Sequence, residues 1–304
     1  MKGIVYKSTG SWYDVLGEDN QHYPSRVRGK LRLEGFKETN PIAVGDWVSF
    51  DIENNEGIIT EILPRENHIL RQSVKKTGHS HVLAANITQA MLVATLTQPR
   101  TSLGFIDRFL ISAEAYRIPQ ILVFNKRDLL TGEDEREIDA LIQLYQSVDV
   151  QVFLTSALQD DLTVIRDRLE NQTTLVAGHS GVGKSSLLNK LSPAIEQSIG
   201  DISDFSNKGT HTTTFAEMFE LNEISRIIDT PGVKEWGLVN MKPEEISDYF
   251  PDMRALRLSC KFGARCLHLH EPGCAIKQAV SQGTISASRY HSYLSMISGD
   301  DNRK

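Results

Sequence analysis

The chain has 304 residues, 40% of them hydrophobic, and a formal net charge of −6. That length predicts two or three domains, each with a proper core. No run approaches the ~20 apolar residues of a membrane helix, residues 1–8 lack an apolar signal core, and the acidic balance argues against a protein that coats nucleic acid generally. A soluble, cytoplasmic monomer is expected.

Residues 1–68 read as all-β. Alternating runs at 3–6, 12–16, 27–33, 47–52 and 57–62 are separated by turn signals such as Thr9-Gly10 and Gly17-Glu18-Asp19-Asn20. Five short strands at this spacing predict a small closed barrel of the oligonucleotide-binding (OB) type. Trp12, Tyr13, Tyr23, Arg26, Arg28 and Lys30 are candidates for an aromatic and basic binding face. The alternative is that the aromatics fill the barrel. Residues 69–85 are polar and irregular and read as a linker.

From residue 86 the pattern alternates. Strands are predicted at 90–95, 120–124, 151–154 and 173–177, with helices at 106–115, 133–146 and 162–169. This predicts a doubly wound, mostly parallel α/β sheet. A strand pair follows at 215–221 and 224–228, and beyond 240 come short helices around the cysteines. The expected division is a barrel at 1–68, a linker at 69–85, an α/β domain at 86–242 and a Cys/His module at 243–304.

Gly178, Gly183, Lys184 and Ser185 match G-x-x-x-x-G-K-[ST] between a predicted strand and a helix. Glycines permit the positive φ that turns backbone N–H groups inward. The N–H groups of Ser180, Gly181, Val182, Gly183, Lys184, Ser185 and Ser186 then form a nest for a β-phosphate. Lys184 adds positive charge at the β/γ oxygens, and the Ser185 hydroxyl is placed to ligate Mg²⁺.

Asn125-Lys126-Arg127-Asp128 matches N-K-x-D. The Asp128 carboxylate can accept from both guanine N1–H and the exocyclic amine, a donor pair that adenine lacks. Asn125 buttresses the loop and reaches N7, and the Lys126 stem lies on the purine face. Taken alone, N-K-x-D also reads as a helix cap. Thr155-Ser156-Ala157 closes a neighbouring strand, and the Ala157 N–H is a candidate partner for guanine O6. Asp229-Thr230-Pro231-Gly232 closes a further strand; Asp229 would hold Mg²⁺ through water, and the Gly232 N–H would meet the γ-phosphate. All four elements fall at carboxyl ends of strands, where open α/β sheets bind ligands. Residues 199–214 have a loop composition; Thr213, with Thr212 second, is the candidate that completes Mg²⁺ coordination.

The order is unusual, because N-K-x-D and S-A precede the phosphate loop. In this the chain resembles the RsgA family, circularly permuted GTPases of small-ribosomal-subunit assembly. The resemblance covers barrel, permuted GTPase and Cys/His module. It implies GTP hydrolysis with Mg²⁺, and RNA and protein contacts on the small ribosomal subunit. The switch segment at 229–236 leads straight into the C-terminal module, so nucleotide state is expected to set that module's position. Where many GTPases carry a glutamine, this chain has Val233, which predicts slow hydrolysis stimulated by a partner. His211 is a candidate for positioning the attacking water; a loop histidine without a catalytic role is the alternative.

The three cysteines all lie between 260 and 274. Cys260, Cys266, His268 and Cys274 form a Cys₃His set suited to one structural zinc ion. The resemblance implies the same ligands, with the first gap here one residue longer, and His270 stands by as a substitute. Arg254, Arg257, Lys261, Arg265, Lys277 and Arg289 surround the set against one acid, Glu271, and are candidates for phosphate contacts. Two other readings stay open: a non-catalytic GTP sensor, suggested by Val233, and an ATP-using small-molecule kinase.

Overall fold

The structure is a computed structural model that describes residues 1–29, 41–72, 80–192, 216–230, 238 and 241–299. The first five strands are β1 (Lys2–Ser8), β2 (Tyr13–Gly17), β3 (His22–Val27), β4 (Trp47–Glu53) and β5 (Glu56–Ile62). They pair in the order β1-β2-β3-β5-β4, and β4 returns to β1 to close a barrel. Val5, Tyr13, Val15, Val48, Phe50 and Ile59 fill its interior. Alternation sends the neighbours of Val5 the other way: Ile4 and Tyr6 join the core of the following domain.

The third strand is a correction, since the run at 27–33 is expected from sequence but β3 spans His22–Val27. Pro24 disguises it, because a proline argues against a central strand. Here Pro24 lies just before the pairing with β5 begins at Ser25, so its missing N–H costs no bond to β5.

Residues 69–85 are likewise not a plain linker. β6 (His68–Gln72) and β7 (Ser80–Ala85) form an antiparallel pair. Ile69 and Ala84 are fully buried. Asn67 fixes the base of the pair through its side-chain amide, donating to Ile87 O at 2.7 Å and accepting from Ile87 N at 2.8 Å. Burial of two apolar positions outweighs the polar composition that suggests a linker.

The α/β domain is built on β8 (Gln89–Ala94), β9 (Gln120–Phe124), β10 (Gln151–Leu154), β11 (Thr173–Gly178), β12 (Glu217–Asn222) and β13 (Ser225–Asp229). Its order is β10-β9-β8-β11-β13-β12, parallel except for β12. Among the described residues, α1 (Leu103–Glu114), α2 (Gly132–Gln146), α3 (Thr163–Leu169) and α4 (Lys184–Leu191) cover it. Period-2 alternation feeds two cores. Ala90, Leu92, Ala94, Leu122 and Phe124 meet α1 and α2 on one face. Met91, Val93, Ile121, Val123 and Val176 meet α3 and α4 on the other. The strands are thus covered on both faces, which is why they read as apolar runs.

β1 also pairs with β12, Lys7 opposite Glu217, so barrel and α/β sheet are one continuous eleven-stranded sheet among the described residues. Lys7 Nζ meets Glu217 Oε1 at 3.0 Å. Tyr6 donates to Glu220 Oε1 at 2.8 Å and accepts from Arg226 Nε at 3.1 Å. The C-terminal module has its own core, in which Phe250, Met253, Ile276 and Tyr293 pack with the three cysteines and with Ile111 of α1.

Candidate functional site

The parallel strands bring the carboxyl ends of β9, β10, β11 and β13 to one edge of the sheet. The main chain passes from strand to loop without a break in pairing: Asn125 N donates to Ala94 O at 2.8 Å, Thr155 N to Phe124 O at 2.8 Å, and Thr230 N to Val176 O at 3.1 Å. The loops after β9, β10 and β11 and the end of β13 therefore meet at one edge.

Asn125 joins three of them. Its amide Nδ2 donates to Val182 O at 2.8 Å, and its Oδ1 accepts from Ala157 N at 2.9 Å. Asn125, Val182 and Ala157 are buried, so each bond replaces water that cannot reach. Asn125 thereby links the loops after β9, β10 and β11. The Ala157 N–H, expected for guanine O6, is here held by Asn125 Oδ1. Arg127 adds an outer tie, its guanidinium donating to both Asp160 oxygens, at 3.1 and 2.5 Å. Hydrogen bonding to Arg127 holds the Asp160 carboxyl below its usual range. Asp160 Oδ2 also accepts from Ser156 N at 2.8 Å. Asp128 is exposed in the turn Arg127–Leu129.

The phosphate loop needs its glycines. A Cβ at Gly178 would lie 2.6 Å from Val93 O, so only glycine lets β11 pass β8 there. Gly183 has φ +86°, and a Cβ would sit 2.3 Å from Asn125 Nδ2 and 3.8 Å from Lys126 Cε. The nucleotide-facing residues of the two motifs are therefore neighbours. Ser180, Gly181, Ser185 and Ser186 are exposed, Val182 is buried, and Lys184 opens α4. Lys184 Nζ forms an ion pair with Asp229 Oδ1. Burial raises the Asp229 carboxyl pKa, and the Lys184 charge lowers it in part. His211, Thr212, Thr213, Gly232 and Val233 lie outside the described residues.

One contributor escapes the sequence reading. The loop between β8 and α1 also ends at this edge. Lys126 Nζ donates to Gln98 O at 2.6 Å, and a Cβ on Gly181 would touch Pro99 Cδ at 3.5 Å. Phe105 of α1 packs its ring on His179 with centroids 3.9 Å apart. The signal was available: this loop too follows a parallel strand at its carboxyl end.

The second constellation is metal-like. Ligand atoms of Cys260, Cys266, His268 and Cys274 all lie within 4.8 Å of one another. Cys260 Sγ and Cys274 Sγ are 3.8 Å apart, and His268 Nδ1 is 3.6 and 3.4 Å from them. A zinc tetrahedron with ~2.3 Å Zn–S and ~2.05 Å Zn–N bonds has edges of about 3.8 and 3.5 Å. The donor set fits the ion. Burial pushes the Cys266 thiol up to about 12 and the His268 imidazole down to about 4. Buried thiolates need a compensating cation, whereas neutral imidazole is already the ligating form. Tyr290 and Tyr293 donate to His268 O at 2.5 Å and Leu267 O at 2.8 Å. The Glu271 carboxylate accepts from the N–H groups of Leu267, Leu269 and His270. His270 is exposed and outside the cluster.

The two proposed nucleic-acid faces are redrawn. On the barrel, Tyr13 belongs to the core, while Trp12 is exposed. Arg26 faces Glu56 and Arg28 faces Asp51, each at 3.8 Å; Lys30 lies outside the described residues. In the C-terminal module Arg254 pairs with Glu114 at 2.6 Å and Arg257 with Asp248 at 2.8 Å. Arg289 is buried between Asp107 and Asp252. Arg289 neutralises internal acids, while Arg254 and Arg257 are half-buried and committed to ion pairs.

A P-loop at the carboxyl edge of a permuted parallel sheet, fused to a closed barrel and a Cys₃His module, defines a circularly permuted P-loop nucleotide-binding protein. Residues 62–239 match the RsgA GTPase family and residues 2–59 the RsgA N-terminal domain. The chain belongs to the RsgA GTPase family. It is 46% identical to the small ribosomal subunit biogenesis GTPase RsgA of Christiangramia forsetii, over 99% of this chain and 97% of that one. It is 48% identical to RsgA 2 of Bacteroides thetaiotaomicron, over 100% and 98%. Among solved structures it is similar to YjeQ from Thermotoga maritima, with a TM-score of 0.76 at 31% identity over 100% and 99% of the two chains. It is also similar to YloQ, a circularly permuted GTPase, with a TM-score of 0.72 at 34% identity over 100% and 96%.

Proposed function

We propose that this protein hydrolyses GTP in the late assembly of the small ribosomal subunit, slowly alone and faster on the subunit. The observation that carries the GTPase part is the Asn125 amide, which ties the N-K-x-D, S-A and phosphate loops into one cleft. Its relatives' names supply the subunit. Asp128 selects guanine. Lys126 lies on the purine face, and Ser156 and Ala157 complete the base loop. Gly178, Ser180, Gly181, Val182, Gly183, Lys184 and Ser186 bind the phosphates.

Ser185, Thr213 and Asp229 are the residues that would hold Mg²⁺, and the ion would supply charge neutralisation at the β/γ oxygens. Lys184, paired with Asp229 in this structure, turns to the β/γ-phosphate. Gly232 meets the γ-phosphate, and His211 positions water. The zinc ion is structural, held by Cys260, Cys266, His268 and Cys274. The working domains are 1–68, 86–242 and 243–304, the first two joined through the β6–β7 pair. Ribosomal RNA is the expected direct contact of the outer modules, and the cytoplasm their place of action.

The test is GTP turnover with and without purified small subunits, with Ser185→Ala as control. Turnover should rise at least tenfold with subunits and vanish in the variant. Binding without turnover, even with subunits present, would leave a sensor and end the proposal.

A further inference from the structure

Removing Arg254, Arg257 and Arg289 from the basic face leaves a smaller and more specific feature. The metal loop projects a tip between Cys260 and Cys266. Gly263, at φ +52°, and Gly273, at φ +67°, make the turns that expose it, and Lys261 N donates to Gly273 O at 3.1 Å. Phe262 on this tip is 48% exposed, and Leu258 on the preceding turn is 76% exposed. Arg257 bridges the two turns, donating to Ala264 O at 3.3 Å. Lys261 and Arg265 flank Phe262 and are exposed. The Lys261 ammonium is 6.0 Å from the Phe262 ring centroid.

We infer that Phe262, presented on the metal-closed loop, is a stacking platform for an unpaired RNA base, with Lys261 and Arg265 on the adjoining phosphates. Three observations select this partner. From Arg254 to His270 the chain carries no acid, although its net charge is −6. The nearest acid in sequence, Glu271, is spent on three backbone N–H groups. A large ring left half in water beside two cations that form no ion pair among the described residues is the composition of single-strand sites, where stacking supplies affinity and cations follow the backbone. With zinc on the four ligands the loop would be held in place, so little loop entropy would be lost on stacking.

The inference deepens the proposed role: it rests on that reading for which RNA is met, and on this tip alone for how. The test uses full-length protein and a labelled single-stranded RNA of about a dozen nucleotides, then purified small subunits. Phe262→Ala should weaken the RNA complex by roughly 5- to 100-fold, and Phe262→Tyr should stay within about twofold of wild type. Lys261→Ala should lower the slope of log affinity against log salt by about 0.7. Zinc content and circular dichroism equal to wild type show that the loop still folds.

Unchanged RNA affinity in Phe262→Ala overturns the inference. So does full retention by Phe262→Leu, which would mark a merely apolar contact. Loss of subunit binding with unaltered RNA affinity would assign the tip to a ribosomal protein and also overturn it. Absence of GTP turnover bears only on the preceding proposal, because RNA binding is read here without nucleotide.

Discussion

Arg289 Nη1 donates to Asp107 Oδ1 at 2.8 Å, which joins the final helix, Ala287–Ser298, to α1. The same guanidinium makes a fork to Asp252, Nε at 2.9 Å and Nη2 at 3.0 Å. Its Cζ stands 4.9 Å from the centroid of the Phe250 ring. One positive charge serves two carboxylates in the seam between the α/β domain and the C-terminal module. Removing it should be severe. Arg289→Ala leaves the buried Asp107 and the half-buried Asp252 uncompensated and is expected to cost about 3–5 kcal/mol in urea unfolding.

The same seam predicts a pH dependence. Burial outweighs the Arg289 charge and pushes the Asp107 carboxyl up to about 6. The unfolded chain releases that proton near pH ~3.9. Between these values the folded protein holds more protons than the unfolded one. Stability from this group is therefore full below pH ~4 and is lost as pH rises toward 6. Asp107→Asn should abolish that component. The stability gap between variant and wild type should shrink from pH 4.5 to 7 when unfolding is followed by circular dichroism. A gap that widens would reverse the assignment.

At the nucleotide end, Asn125 and Gly183 are expected to be coupled. Asn125→Ala strands a buried N–H and a buried carbonyl, and should weaken GDP binding by about 10- to 100-fold. Gly183→Ala meets both a strained φ and the Asn125 amide, and should weaken it at least as much. Because part of the second penalty is the clash with that amide, the double variant should lose less than the sum. Calorimetric titration of GDP into the four proteins measures the difference; strict additivity would mean the amide has little part in the Gly183 effect.

Asp128→Asn exchanges a double acceptor for one acceptor and one donor. Guanine then loses a partner for one N–H, while xanthine, with a carbonyl at C2, gains one. Affinity for GDP should fall about 100-fold or more and affinity for XDP should rise. Titration with both nucleotides reads the switch directly.

Stripping the metal should act on the C-terminal module and spare the nucleotide site. Chelation, or Cys266→Ser, removes the closure of the loop that Tyr290 and Tyr293 hold by its carbonyls. Amide exchange of Ala287–Ser298 should then speed up at least tenfold, with GDP affinity unchanged within about twofold. Uniform destabilisation of both regions would show that the module is not a separate metal-dependent unit.

Much of this protein was legible in the residues alone. Apolar runs ending in Asn125, Thr155, Gly178 and Asp229 announce parallel strands and their ligand loops, because a strand buried on both faces leaves a local signature. The order of those motifs announces the permutation, and the spacing of Cys260, Cys266, His268 and Cys274 announces a metal set. Composition hid β3 behind Pro24 and the β6–β7 pair behind polar residues.

What the tertiary structure decided was pairing across distance. Nothing near Arg289 in sequence says that Asp107 will meet it, so a buried ion pair and a surface cation look alike until the chain folds. The same holds for the Asn125 amide between Ala157 and Val182, for β1 extending the sheet at β12, and for Phe262 left in water. Local periodicity is carried by neighbouring residues, while charge compensation and exposure are set by whichever distant groups the fold brings alongside.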